Sequence, residues 1–116
     1  YSAIPGLKVV TPFTPYEAKG LLKSAIRDND PVLIMESEKM YGDKGMIPDG
    51  EFLVPIGKAN VRQKGSDVTI VSFGKILKTV HAAADELAKE GIEVEIIDLV
   101  TIRPLDLNTI IESIKK

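Results

Sequence analysis

The run Pro31-Val32-Leu33-Ile34-Met35 constrains the fold of this chain more than any other stretch. It offers no polar side chain and therefore no solvent face. It reads as a strand buried on both sides, the pattern of a parallel sheet. A parallel partner has to arrive by a crossover, and Leu7 to Pro12 (LKVVTP) supplies a short β-branched run upstream. Between the two runs, Thr14-Pro15-Tyr16-Glu17 has the form of a capping box, with proline at the first helical position. Ala18, Leu21, Leu22, Ala25 and Ile26 then recur at spacings of three and four, which predicts one apolar stripe. Gly20 inside this helix costs about 1 kcal/mol against alanine, and close packing on a sheet would explain it. The helix stops by Asn29, because Asp30 precedes a proline and is pushed out of the helical region. Strand, helix and strand make a right-handed βαβ unit.

From Ser37 to Pro55 the periodicity fails, with Gly42, Gly45, Pro48, Gly50 and Pro55 as punctuation. Loops of that length are uncommon inside a compact domain, so the domain boundary is set here. The division is 1–42 for the first domain, 43–56 for a linker and 57–116 for the second domain, with Phe52, Leu53 and Val54 anchoring the linker to a surface. The second half repeats the α/β grammar. GKANVRQKG reads as an edge strand, and Asp67 to Gly74 as a buried strand ending in a glycine turn. Ile76, Leu77, Val80, Ala83, Ala84, Leu87 and Ala88 form a helical stripe closed by Gly91. Ile92 to Val100 is the next strand. After the turn Arg103-Pro104-Leu105, Asp106 caps a last helix on which Leu107, Ile110, Ile111 and Ile114 share a face. The fold class is α/β with mostly parallel sheets.

Composition narrows the chemistry. The chain of 116 residues has no cysteine, which removes disulfides, thiolate metal sites and cysteine nucleophiles, and fits a reducing compartment. His81 is the single histidine, too little for a histidine metal site or a serine-type triad. A net charge of -2 argues against a nucleic-acid partner. No apolar run approaches the roughly 20 residues of a membrane span. The start at Tyr1 and the end on Ile-Lys-Lys both read as cuts in a longer protein.

Five places could carry function. The Ser72-Phe73-Gly74 turn leads into a helix but lacks the glycine pattern of a phosphate loop, so it reads as a turn. Glu36 and Glu38 follow a parallel strand at its carboxyl end, the usual ligand side, yet the loop beyond solvates such acids and favours a structural or interface role. His81 lies at the border of its helical stripe without a partner acid, and reads as an edge histidine. Arg103 reads as forming an ion pair with Asp98 or Asp106. The best signal is Ala25-Ile26-Arg27-Asp28-Asn29-Asp30, where two carboxylates join the free carbonyls at the negative end of a helix. Such an all-oxygen cage suits a hard cation, and otherwise the acids are solvated.

Taken in order, IPGLKVVTP, YEAKGLLKSAIRDNDPV, ESEKMYG, PIGKA, GSDVTIVSFGK and DELAKEGIEVEIIDLVTIRPLD resemble the beta subunit of the thiamine-diphosphate-dependent 2-oxo acid dehydrogenase first component, most like that of pyruvate dehydrogenase. The resemblance covers essentially the whole chain and implies a transketolase-like fold, with the end of a pyrimidine-binding domain followed by the start of a C-terminal domain. It implies a heterotetramer in a multienzyme complex. Its partners are an alpha subunit, a second beta subunit and the binding domain of the dihydrolipoyl acyltransferase. Thiamine diphosphate and magnesium lie at the alpha–beta interface, and a 2-oxo acid is decarboxylated with transfer of its acyl group to lipoamide. The family's activating glutamate and HSQ motif lie upstream of Tyr1, so no catalytic residue is assigned, no cofactor-binding residue is specified, and the fragment alone is expected to be inactive. One site carries over, a potassium site matching Ala25, Ile26, Asp28 and Asp30, with a further ligand upstream. The family often has Asn at Asp30, and Arg at Val100, where a subunit or packing contact is altered. The implied compartment is the cytoplasm of a bacterium or the mitochondrial matrix of a eukaryote. Branched-chain 2-oxo acid and acetoin dehydrogenases are the near alternatives, and a non-catalytic docking module is a reading of a different class. A response-regulator-like domain needs a phosphorylatable aspartate after the first strand, and Pro12-Phe13-Thr14 offers none.

Overall fold

Thr14 starts the first helix in the manner its sequence predicts. In the computed structural model, which describes residues 1–116, Thr14 Oγ1 accepts the Glu17 N–H at 3.2 Å and Glu17 Oε2 accepts the Thr14 N–H at 3.2 Å. The chain runs β1 (Lys8–Val10), α1 (Pro15–Arg27), β2 (Val32–Ile34), β3 (Asn60–Gln63), β4 (Val68–Ser72), α2 (Leu77–Lys89), β5 (Val94–Asp98), β6 (Thr101–Arg103) and α3 (Leu107–Ile114). β1 and β2 pair in parallel across α1, with Val9 opposite Leu33, which completes the βαβ unit. Pro31–Met35 differs from its reading as doubly buried. β2 is the edge of its sheet, its residues are half-buried, and Met35 is exposed.

The first sheet is finished from the far end of the chain. β6 pairs antiparallel with β1, giving the order β2-β1-β6. The second sheet has the order β3-β5-β4, with β4 parallel and β3 antiparallel to the central strand. β3 is thus the edge strand that GKANVRQKG predicts. β4 is the other edge, and its Val68 and Val71 are exposed rather than buried. Every residue of β5 is buried, because helices cover both faces. On one face, Leu77 and Ala84 of α2 pack against Val94 and Ile96. On the other, Ser113 of α3 reaches Glu95 and Thr69. Gly91 closes α2 with φ 79°, a left-handed conformation that glycine adopts without a Cβ clash, while the Ile92 N–H reaches back to the Leu87 carbonyl at 3.1 Å.

Two helices turn different faces inward from those the apolar spacing predicts. On α1 the buried residues are Glu17, Gly20 and Leu21, whereas Leu22 and Ile26 are exposed. The reason is the linker, whose Phe52 and Val54 lie along α1 as expected of an anchor. A methyl group on Gly20 would collide with the Val54 side chain, so this glycine permits close packing on the linker and not on a sheet. The Ser24 hydroxyl donates to the Val54 carbonyl at 2.6 Å and fixes the same contact. On α3 the Leu107, Ile111 and Ile114 side chains are exposed and Ser113 is buried. Polar groups hold that helix: Ser113 donates to Glu95 Oε1, and Lys116 reaches Glu95 Oε2. Asp106 caps α3 as predicted, accepting the Thr109 N–H at 3.3 Å and also the Ala59 N–H at 3.2 Å.

Between β5 and β6 the chain passes from one sheet to the other at Val100, with φ 54°. A left-handed β-branched residue costs about 1–3 kcal/mol and persists only where its surroundings over-determine it. Here Asp98 Oδ1 accepts the Val100 N–H at 3.0 Å, the Thr11 N–H donates to the Val100 carbonyl at 2.8 Å, and the side chain is buried with Val10, Leu21 and Val54.

Candidate functional site

The two acids at the end of α1 are answered by a cation from the chain itself. Lys8 stands on β1 opposite Val32, and its Nζ lies 2.8 Å from both carboxylate oxygens of Asp28 and 3.1 Å from Asp30 Oδ2. Asp28 Oδ1 also accepts the Asp30 N–H at 2.9 Å. Hydrogen bonding to Lys8, and next to the Asp30 N–H, holds the Asp28 carboxyl below the ordinary carboxylate range, and the same two acids hold the Lys8 ammonium above its ordinary value. Of the carbonyls in the predicted potassium set, that of Ala25 accepts the Asp28 N–H at 3.3 Å. The Ile26 carbonyl takes part in none of the turn and cap hydrogen bonds. Lys8 thus engages both carboxylate oxygens of Asp28 and one of Asp30. No group of three or more histidine, cysteine or acidic side chains is placed to hold a metal.

A second site lies at the carboxyl ends of β1 and β2, where open parallel sheets bind ligands. A groove of 250 Å³ runs between Pro12, Phe13 and Thr14 on one wall and Glu36, Met40 and Tyr41 on the other. Its two charged side chains are both acidic. Glu36 accepts the Tyr41 hydroxyl at 3.3 Å, and Asp43 pairs with Lys78 of α2 at 2.6 Å. The floor of the first wall is set from beneath. Glu17 Oε2 accepts the Phe13 N–H at 3.0 Å and the Thr14 N–H at 3.2 Å, while Glu17 Oε1 meets the guanidinium of Arg62. Arg62 comes from β3 and also donates to Asp98 Oδ2, through its Nε at 3.1 Å and its terminal nitrogen at 2.7 Å. Its guanidinium carbon lies 5.5 Å from the centre of the Phe13 ring, whose other neighbour is the His81 ring at 6.1 Å. Burial pushes the Asp98 carboxyl up, against the opposing pull of Arg62 and the Val100 N–H.

These contacts sort the sequence-based candidates. Glu36 does reach the groove, and Glu38 sits in a 3-10 turn, Glu38–Met40, without a partner across the groove. His81 is an edge residue stacked on Phe13, as read. The ion pair assigned to Arg103 is not formed. Asp98 is taken by Arg62 and Asp106 by the α3 cap, and Arg103 is exposed. Ser72-Phe73-Gly74 is a turn into a 3-10 segment that continues as α2. The sequence reading missed Arg62 and Glu17 as a pair. The signal available was Glu17 itself: a capping glutamate uses one oxygen on the cap, and its second oxygen, on a buried face, requires a donor.

The architecture is thus a βαβ unit tied by a connecting stretch to a second α/β unit, with a groove at the strand ends of the first. Residues 1–44 match the family described as transketolase, pyrimidine binding domain, and residues 57–116 match transketolase, C-terminal domain; the chain belongs to the transketolase family. It is 56% identical over 117 residues to the pyruvate dehydrogenase E1 component subunit beta of Rhizobium meliloti, covering 100% of this chain and 25% of that protein. It is 51% identical over 115 residues to the acetoin:2,6-dichlorophenolindophenol oxidoreductase subunit beta of Cupriavidus necator, covering 99% of this chain and 34% of that one. Among solved structures, a split-gene transketolase described as an inactive beta4 tetramer superposes with a TM-score of 0.81 at 26% identity, over 98% of this chain and 37% of its own. The chain thus spans 25% to 34% of the length of these curated relatives.

Proposed function

We propose that this chain is part of the beta subunit of a thiamine-diphosphate-dependent 2-oxo acid dehydrogenase, acting on pyruvate together with an alpha subunit and passing the acetyl group to lipoamide. The observation that carries this reading is the 56% identity to a pyruvate dehydrogenase beta subunit, which extends through both domains. The acceptor of the acetyl group is the dihydrolipoyl acyltransferase, whose binding domain docks on the assembled α2β2 enzyme. The compartment is the cytoplasm of a bacterium or the mitochondrial matrix of a eukaryote. The domain division is 1–42, 43–56 and 57–116, close to the spans of the two matched families.

The groove's chemistry supports a division of labour with the alpha subunit. Its charged side chains, Glu36 and Asp43, are both acidic and offer a diphosphate no donor, so the diphosphate would be held by residues outside this stretch. The apolar wall at Pro12 and Phe13, facing Glu36 and Tyr41, suits the organic end of the cofactor or substrate. Bound there, the cofactor would supply the carbanion-stabilising chemistry by which a 2-oxo acid loses carbon dioxide. A potassium ion would take oxygens of Ala25, Ile26, Asp28 and Asp30 with a further ligand upstream, would share the carboxylates with Lys8, and would brace the loop after α1.

The test is to produce the full-length beta subunit with its alpha partner and assay pyruvate, a branched-chain 2-oxo acid and acetoin with a dye acceptor. Thiamine-dependent turnover of pyruvate is the expected result, and residues 1–116 alone are expected to turn over none of the three. Preference for acetoin would establish the second reading, which the 51% identity to the acetoin enzyme favours. An inactive complex that still binds the acyltransferase's domain by calorimetry would leave only a docking module.

A further inference from the structure

We propose that Arg62 is a positioning residue for the groove in the first domain, acting on its wall through Glu17 from the second domain. This inference rests on the functional reading of that groove. Three observations carry it. Glu17 is 2% exposed and uses one oxygen on the N–H groups of Phe13 and Thr14, which form the wall, and the other on Arg62. Arg62 is held from behind by Asp98, which is fully buried and also ties down the strained Val100 at the crossing between sheets. The guanidinium lies over the Phe13 ring, so one cation sets both the backbone and the side chain of the wall. The capping box alone would leave Glu17 free to rotate about its cap. The fork-shaped guanidinium between two buried carboxylates fixes it instead. The orientation of the second domain is thereby transmitted to the position of Phe13.

The test uses the full-length beta subunit in complex with its alpha partner and has two readouts. Hydrogen exchange at the Phe13 and Thr14 amides reports the wall directly. Thiamine diphosphate affinity, measured by calorimetry, reports the groove. Arg62→Met is expected to speed exchange at those two amides at least tenfold and to weaken the cofactor by a similar factor. Arg62→Lys, which keeps the charge but loses the fork, is expected to recover part of each. Glu95→Gln, a buried acid under α3 and away from the groove, serves as the matched control and is expected to change neither readout. Wall exchange within twofold of wild type in Arg62→Met overturns the proposal, as does an equal effect from Glu95→Gln. Should Arg62→Met fail to assemble, Arg62→Lys decides by the same exchange readout, wild-type exchange again overturning the proposal. A wild-type complex that binds no thiamine diphosphate defeats the functional reading, and the exchange arm still judges the positioning.

Discussion

Lys8 shows what a single residue can change in the reading of a site. Asp28 and Asp30 stand out in the sequence because their charge opposes the helix dipole, and that much is legible locally. The cation that answers them lies twenty positions before Asp28, on β1, and only the β1–β2 register brings it there. The pairing has a pH signature. Asp28 is held below the ordinary carboxylate range, so its contribution to stability is complete above that range and is lost as pH falls through its depressed value. Lys8 is raised, so its contribution survives until pH climbs through a value above the ordinary lysine range. Asp28→Asn is therefore expected to flatten the acid side of the stability curve. Calorimetric midpoints measured from neutral pH downward should fall less steeply in the variant than in the wild type, and parallel curves would refute the assignment. The Arg62 cluster was less legible for a related reason. Each of its members is an ordinary surface residue type, and burial arises only when two domains close on them.

At the scale of elements, caps and stops were readable and faces were not. Thr14, Glu17, Gly91 and Asp106 all do what their local chemistry dictates, because a cap involves residues within one turn. The inward face of a helix depends on what lies against it. α1 receives an extended linker over Gly20, and α3 meets a buried acid, so each presents small or polar residues where the apolar spacing pointed elsewhere. Gly20 offers a sharp check. Alanine there gains about 1 kcal/mol of helix propensity, but overpacking against a fixed neighbour costs about 1–3 kcal/mol. Gly20→Ala is expected to destabilise in chemical denaturation. Adding Val54→Ala should restore part of the loss, since Val54 is what the new methyl strikes. A Gly20→Ala variant more stable than wild type would mean that the linker yields.

For the molecule as a whole, two sheets and a connecting stretch behave as one body. The Gly57 N–H donates to Thr101 Oγ1 at 2.9 Å, Arg62 bridges Glu17 and Asp98, and β6 is a strand of the first sheet. The α/β class and the order of most elements followed from periodicity, whereas β6 did not: Thr101–Arg103 is too short to carry a period, and it reads as the approach to the turn rather than as a strand of the first sheet. In the full-length subunit, a protease site placed between Gly45 and Gly50, where no regular element lies, should be cut without releasing the pieces. They are expected to co-elute on gel filtration and to part only in denaturant, and separation in native buffer would disprove the coupling.

The placement of β6 also has a consequence in time. The ribosome completes β1, α1 and β2 before it makes Thr101–Arg103, so the β1–β6 pairing forms only after more than half of this stretch has followed. During that interval the nascent chain carries an unpaired strand edge, the kind of template on which chains mispair. The sheet to which β1 and β2 belong is completed in this stretch by a strand made after the whole of the second sheet.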